Sequence, residues 1–117
     1  MTRTLIITFH QEGFHQWKEA PRKRGYLSTP HRHLFHFRCE FRVRSDEREL
    51  EFHDLLEASQ RELWMSYSRL TDYSLNLTDE SCETIAAKLW NRLVGNKLPC
   101  VAVEVWEDGE CGARVED

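Results

Sequence analysis

Strict alternation along residues 31–44 constrains the fold more than any other feature of the sequence. One parity is mostly apolar and the other mostly charged: His31, His33, Phe35, Phe37, Cys39, Phe41 and Val43 against Arg32, Leu34, His36, Arg38, Glu40, Arg42 and Arg44. A period of two is typical of a β-strand, whose successive side chains point to opposite faces. The pattern predicts a long strand with one face on a core. The other face, with Arg38, Arg42 and Arg44, needs water or the lumen of an oligomer.

The remaining segments read as further strands and two amphipathic helices. Strands are predicted at 3–10, 100–107 and 111–116, helices at 49–66 and 80–94, a long loop at 11–30 and a polar connection at 67–78. Each helix carries one mostly apolar stripe at helical spacing: Phe52, Leu55, Leu56, Ser59 and Leu63 on the first, Cys82, Ile85, Ala86, Leu89 and Leu93 on the second. Two hairpins flanking a helix pair predict an α+β fold, ββααββ. We expect a four-stranded antiparallel sheet with both helices on one face.

Length and composition narrow the class of protein. A chain of 117 residues is expected to form a single domain over residues 1–117. No apolar run is long enough for a membrane span, and the N-terminal residues lack the plan of a signal peptide. The net charge of −4 argues against generic nucleic-acid binding. The four cysteines form no C-x-x-C pair, which favours a reduced, cytoplasmic protein.

Histidines are the residues most in need of a chemical explanation. Alternation places His31 and His33 on the same side of one strand, about 6–7 Å apart along the chain, a separation that suits two ligands of one metal ion. A catalytic zinc site typically uses three protein ligands and an open position. His15, in the loop between the first two strands, is the natural third ligand, and His10 is the reserve. The alternative is that these histidines are surface or partly packed residues.

Other polar residues allow a functional and a plain structural interpretation. Glu107 ends a strand on its apolar face, where a carboxylate is either hydrated at the sheet edge or placed to bind a ligand. The basic run 22–24 is either a solvated loop or an anion contact. Asp72 and Tyr73, in the polar connection, indicate nothing by themselves.

Five segments in order resemble the 6-pyruvoyl-tetrahydropterin synthase and 6-carboxy-tetrahydropterin synthase family, which has the tunnelling fold. Its members carry a histidine in a segment like E-A-A-H-R-L, and residues 12–17 (EGFHQW) are similar to it. Their H-G-H at the start of the second strand is similar to residues 31–33. The D-F that opens their first helix resembles Glu51-Phe52, and the T-x-E of the second resembles residues 81–83 (SCE). Their V-x-V-x-E-T resembles residues 103–108 (VEVWED).

This resemblance implies a specific site and activity. His15, His31 and His33 would hold a zinc ion, and the Glu107 carboxylate would accept hydrogen bonds from the amino and N–H groups of a pterin or purine-like ring. The family's chemistry on 7,8-dihydroneopterin triphosphate implies a zinc-dependent lyase. Monomers would form a homo-oligomer, a hexamer of trimeric rings, with the arginine face lining its tunnel. The resemblance leaves open whether the pathway is that of folate, biopterin or deazaguanine.

The chain departs from the family at its proton-transfer groups. The family's cysteine, four residues before H-G-H, is Leu27, and leucine cannot accept a proton. The family's Asp-His pair before the second helix is Asp72-Tyr73, which become the candidate catalytic residues, with Tyr26 as another replacement. The glycine between the zinc histidines is Arg32. The alternatives are a related protein that binds a pterin or purine without lyase activity, and a structural ring-forming protein.

Overall fold

The computed structural model describes residues 1–117 as six strands and two α-helices. The elements are β1 (Arg3–His15), β2 (His31–Val43), α1 (Phe52–Ser66), β3 (Ser68–Arg69), β4 (Ser74–Asn76), α2 (Cys82–Gly95), β5 (Cys100–Glu107) and β6 (Cys111–Glu116), with a 3-10 helix at Arg22–Ser28. All six strands form one sheet in the order β3-β4-β1-β2-β5-β6. The predicted α+β class and the order of the main elements are confirmed. Neither helix is long and apolar enough to cross a bilayer.

The predicted four-stranded antiparallel sheet is wrong in two respects. The sheet has two further short strands, β3 and β4, both formed by the connection 67–78. In addition, β4 pairs with β1 in parallel, because β1 continues to His15, five residues beyond its predicted end, and offers a free edge there. Strands of two and three residues are too short for a period of two to reveal them in the sequence.

The β1–β2 hairpin forms the centre of the sheet. Its thirteen-residue antiparallel ladder runs from Arg3 opposite Val43 to His15 opposite His31. The apolar parity of β2 is buried as predicted, and the Phe37 ring stacks on Phe9 with centroids 4.9 Å apart. This face joins both helices in a single core. The register therefore brings the far end of β1 beside the start of β2, where the histidines lie.

Both helices pack on the core through the residues that the sequence pattern predicts, except for Phe52 of α1. The predicted inner residues of α2 are all buried, and the Ser81 hydroxyl caps the helix by accepting from the Thr84 N–H at 3.2 Å. On α1, Leu55, Ser59 and Leu63 are buried, whereas Phe52 is 58% exposed. Phe52 is the first residue of the helix, which begins three residues later than predicted, so its side chain lies at the edge of the packed face.

The opposite face of the sheet carries a network of ion pairs across three strands. Arg114 of β6 contacts Glu40 of β2 at 2.8 Å and Glu104 of β5 at 2.6 Å, and Arg38 contacts Glu40 at 3.1 Å. The hydrogen bond from Arg114 lowers the pKa of Glu40 to about 2. The charged parity of β2 is thus partly neutralised by the neighbouring strands, while Arg42 and Arg44 stay exposed.

We expect Arg114→Met to lower stability in a way that depends on pH. Because folding lowers the pKa of Glu40, the stabilisation is present above the ordinary glutamate pKa of about 4.3 and is lost as pH falls toward 2. The variant should be less stable than the wild type by about 1 kcal/mol near neutral pH, because partly exposed ion pairs contribute little more than this to stability. Urea unfolding as a function of pH should show this difference shrinking in acid. A difference that stays constant with pH would contradict this role of Glu40.

Candidate metal centre

Three histidines converge at one end of the β1–β2 hairpin. His15 lies directly opposite His31 in the ladder, and Gly13 lies opposite His33, which places all three side chains on the same face. One ligand atom from each histidine lies within 4.8 Å of the other two. His15 is 8% exposed, and His31 and His33 are half-buried. The cluster therefore has the spacing of a three-histidine metal site.

Each ring is held through Nδ1. The Nδ1–H of His15 donates to the Glu80 carbonyl at 3.0 Å, and that of His31 donates to the Thr29 carbonyl at 2.9 Å. The Nδ1 of His33 lies 2.7 Å from a carboxylate oxygen of Asp108. Since carbonyls and carboxylates accept, these contacts assign the hydrogen to Nδ1 and leave Nε2 free as a ligand. The donor set suits zinc, which imidazole nitrogens bind well.

Burial favours the neutral form of His15. Desolvation lowers its pKa, although the hydrogen bond to the Glu80 carbonyl and the charge of Glu107 act in the opposite direction. A neutral imidazole is the form that binds a metal. The buried position of His15 therefore favours the form of its imidazole that can bind a metal.

Glu107 reaches the same cluster from the neighbouring strand. It is the last residue of β5 and lies opposite Phe35 of β2. One of its carboxylate oxygens lies 2.9 Å from Nε2 of His15 and 3.7 Å from Nε2 of His33. The structure therefore brings together all four residues that the sequence analysis assigned to metal and ring.

A cleft of about 550 Å³ opens beside the histidines. It lies between the hairpin, the 3-10 helix and the first turn of α2, and its lining includes Leu27, Cys82 and Cys111. Leu27 thus occupies the cleft wall where the resemblance implies a cysteine. Burial raises the pKa of the Cys82 thiol to about 12, so it stays protonated at neutral pH.

Asp72 and Tyr73 lie outside this cleft. They occupy the turn between β3 and β4, where Tyr73 is 81% exposed and its carbonyl accepts a hydrogen bond from the Gln11 amide at 2.7 Å. Tyr26 is 68% exposed and does not line the cleft either. His10 is on the other face of β1, with its ring 5.9 Å from that of His36. Within one chain, none of these residues joins the histidine cluster.

Sequence reasoning missed the groups that orient the histidines. Asp108 holds His33 through one carboxylate oxygen, and its second oxygen accepts from the Leu34 N–H at 2.8 Å. These two hydrogen bonds lower its pKa. The available signal was its place directly after Glu107, which forces it to the same end of the sheet. The carbonyls of Thr29 and Glu80 leave no signal in the sequence, because every residue has a carbonyl.

We expect Asp108→Ala to weaken zinc binding about tenfold, since carboxylates behind metal-bound histidines commonly contribute that much. The affinity can be measured by competition with a chromophoric chelator. Asp108→Asn is the control, because Asp108 has a φ of 55°, a conformation that asparagine tolerates and alanine does not. Asparagine also keeps an acceptor oxygen, so its effect should be smaller. Equal affinity in the wild type and the alanine variant would show that Asp108 does not support the metal.

Comparison with known proteins gives similarity in structure only. No protein-family profile and no curated protein sequence matches the chain. The structure of 6-pyruvoyl tetrahydropterin synthase from Caenorhabditis elegans matches 100% of this chain and 96% of its own, with a TM-score of 0.69 and 13% identity. An uncharacterized protein from Wolinella succinogenes matches 100% of this chain and 99% of its own, with the same TM-score and identity. The resemblance found in the sequence is thus confirmed at the level of structure, and the chain has the fold of 6-pyruvoyl tetrahydropterin synthase.

Proposed function

We propose that this protein is a divergent, zinc-dependent lyase of the 6-carboxy- or 6-pyruvoyl-tetrahydropterin synthase kind, acting on 7,8-dihydroneopterin triphosphate. One observation carries the proposal: three histidines and one glutamate form one cluster, and His15, His31 and Glu107 of that cluster line a single cleft of this fold. The residues proposed for the metal and the residue proposed for the ring therefore lie beside each other.

In this proposal three histidines bind the zinc, and Glu107 orients the ring of the substrate. His15, His31 and His33 hold the zinc, each fixed through Nδ1. When bound, zinc supplies Lewis acidity, which polarises the side-chain oxygens of the substrate and acidifies neighbouring C–H groups. Glu107 accepts hydrogen bonds from the amino and N–H groups of the ring and so orients it. Leu27 and Trp17 form part of the cleft wall.

Proton transfer in this proposal requires a second copy of the chain. Asp72 and Tyr73 lie at the exposed β3–β4 turn, so they reach a cleft only if it belongs to another subunit. Two features support a homo-oligomer built of rings: the sheet ends in free edges at β3 and β6, and Trp64, Met65 and Leu70 near β3 are exposed. The exposed arginines of β2 would then face the tunnel.

The proposed location is the cytoplasm, where the cysteine thiols and the reduced pterin would be kept from oxidation. All four cysteines are free, and three of them are buried. Free thiols are typical of a reducing compartment.

The direct test is incubation of the zinc-loaded protein with 7,8-dihydroneopterin triphosphate, followed by chromatography of the products. A new pterin product is expected. Unchanged substrate in the presence of bound zinc would contradict the lyase assignment. It would favour the second candidate, a pterin- or purine-binding protein without lyase activity, for which Leu27 in place of a proton-transfer group is the supporting observation.

We expect Glu107→Gln to weaken binding of neopterin by about 10- to 100-fold at saturating zinc, the range for loss of a charge-assisted hydrogen-bonded pair. Pterin fluorescence provides the measurement. Asp79→Asn is the matched control, because Asp79 lines the same cleft and its side chain makes no hydrogen bond or ion pair. Equal loss of affinity in both variants would point to the charge of the cleft rather than to a specific anchor.

A further inference from the structure

The loop 77–81, between β4 and α2, supplies a hydrogen-bond acceptor to the histidine cluster. The Nδ1–H of His15 donates to the Glu80 carbonyl at 3.0 Å. The first half of the loop is tied to the end of β1, because the Gln16 N–H donates to the Thr78 carbonyl at 2.9 Å. What holds Glu80 itself therefore decides how the ring of His15 is oriented.

The Glu80 side chain ties this loop to both helices. It is 15% exposed, whereas the preceding residues Thr78 and Asp79 are exposed. One carboxylate oxygen accepts a hydrogen bond from the Tyr67 hydroxyl at 2.7 Å, and the other pairs with the Lys88 ammonium. Tyr67 directly follows the last residue of α1, and Lys88 lies within α2. The carboxylate thus connects the loop to the end of one helix and to the side of the other.

The two partners of Glu80 also contact each other. The Lys88 Nζ lies 5.5 Å from the centroid of the Tyr67 ring, within the range of a cation–π interaction. Burial, and after it the hydrogen bond to Glu80, raises the pKa of the Tyr67 phenol, so this hydroxyl stays a donor. A largely buried carboxylate is costly unless its oxygens have partners, and here both oxygens have one. The three side chains therefore hold one another in place.

We propose that Glu80 is a positioning residue of the metal centre. Tyr67 and Lys88 hold its carboxylate, the carboxylate fixes the loop, and the loop presents the carbonyl that orients His15. Zinc affinity then depends on contacts made outside the histidine cluster, where the end of α1 meets α2. The inference rests on the proposed function only in requiring that the histidines hold zinc.

His15 depends on such a tie more than His31 does. The acceptor of His31 is the Thr29 carbonyl, two residues away in the chain, so local backbone geometry places it. The acceptor of His15 is 65 residues away and belongs to a loop, so tertiary contacts must place it. Hydrogen-bond partners of metal-bound histidines commonly change metal affinity by about 10- to 100-fold. A side chain that acts through such a partner should have a smaller effect.

Zinc affinity, measured by competition with a chromophoric chelator, is the first test. Glu80→Ala keeps the backbone carbonyl and removes the tie, and we expect it to weaken zinc binding about fivefold. Tyr67→Phe keeps the ring and the charge of the site and removes only the hydroxyl, so the loss should be about twofold to threefold. Asp79→Asn is the matched control: it removes one negative charge from the same loop and should leave the affinity unchanged.

Proton NMR of the zinc-loaded protein provides a measurement that a general loss of stability would not change in the same way. The Nδ1 protons of His15 and His31 are both hydrogen-bonded to carbonyls, so their exchange with water can be compared within one molecule. In Glu80→Ala and Tyr67→Phe we expect the His15 proton to exchange about fivefold faster. The His31 proton should exchange at the wild-type rate and serves as the internal reference.

The conservative change Lys88→Arg should keep the wild-type affinity and exchange rates, because it preserves the cation beside Glu80. Lys88→Met should behave like Glu80→Ala. A wild type that binds no zinc overturns this inference together with the proposed function. If zinc binds and all variants match the wild type, only the positioning role of Glu80 is overturned. An equal loss of affinity in Asp79→Asn, or faster exchange of both histidine protons, also overturns that role, because cleft charge or general loosening then explains the effect.

Discussion

Replacing His31 with alanine is expected to weaken zinc binding by about 100-fold or more. The side chain is one of three that converge within 4.8 Å, and its loss should exceed the effect of losing an outer carboxylate. No other histidine can take its place, because His10 and His36 lie on the opposite face of the hairpin and His53 lies near its other end, beside Arg3 and Val43. Chelator competition gives the affinity, and the proposed lyase activity should be lost in parallel.

His10→Ala is the matched control for this substitution. It removes the same imidazole from the same hairpin, on the face away from the cleft, and should leave zinc affinity unchanged. If instead His10→Ala loses zinc and His31→Ala keeps it, the metal lies elsewhere on the molecule. Equal retention of zinc by both variants would mean that the histidine cluster is a packed group without a metal.

Phe35→Ala is expected to destabilise the protein by about 3–5 kcal/mol, the usual range for removal of a large buried aromatic ring. Phe35 is 0% exposed and forms the floor of the site, with its ring edge-to-face with His15 at 5.2 Å and with His33 at 5.6 Å. The cavity should also free the two imidazoles to move. We therefore expect zinc to raise the melting temperature of the variant less than that of the wild type.

Phe52→Ala provides the comparison. The same change at a residue 58% exposed should alter stability by only about 0.5 kcal/mol. Urea unfolding with and without zinc measures both effects. Similar losses of stability in the two variants would show that the core does not lie where the structure places it. If zinc raises the melting temperature of Phe35→Ala as much as that of the wild type, Phe35 does not hold the histidines in place.

The sequence predicted the parts of the fold that depend on long repeating patterns. The alternation of β2 and the apolar spacing of α2 were sufficient, since each buries a continuous face. The end of β1 was missed because Gly13 was taken as part of a loop. In the structure Gly13 lies within the strand, where an added Cβ would come within 2.7 Å of Leu77, so close packing explains the glycine.

Alternation predicts the relative positions of ligands within one strand, but not where a ligand of one strand lies relative to those of the next. His31 and His33 share a face by spacing alone, whereas His15 joins them only because the hairpin places it opposite His31. Asp108 and the carbonyl of Glu80 act through contacts between residues far apart in the chain. No local pattern encodes such contacts. Association of chains, on which the roles of Asp72 and Tyr73 depend, stays a prediction.

X-ray absorption at the zinc edge is the most direct test of the central claim, that the three clustered histidines hold the metal. For the zinc-loaded protein we predict a shell of nitrogen and oxygen at about 2.0–2.2 Å, with the outer-shell pattern of three imidazoles and no sulfur. Cys82 and Cys111 line the same cleft, so the alternative is concrete. A sulfur shell near about 2.3 Å, or fewer than three imidazoles, would contradict the assignment of the metal to His15, His31 and His33.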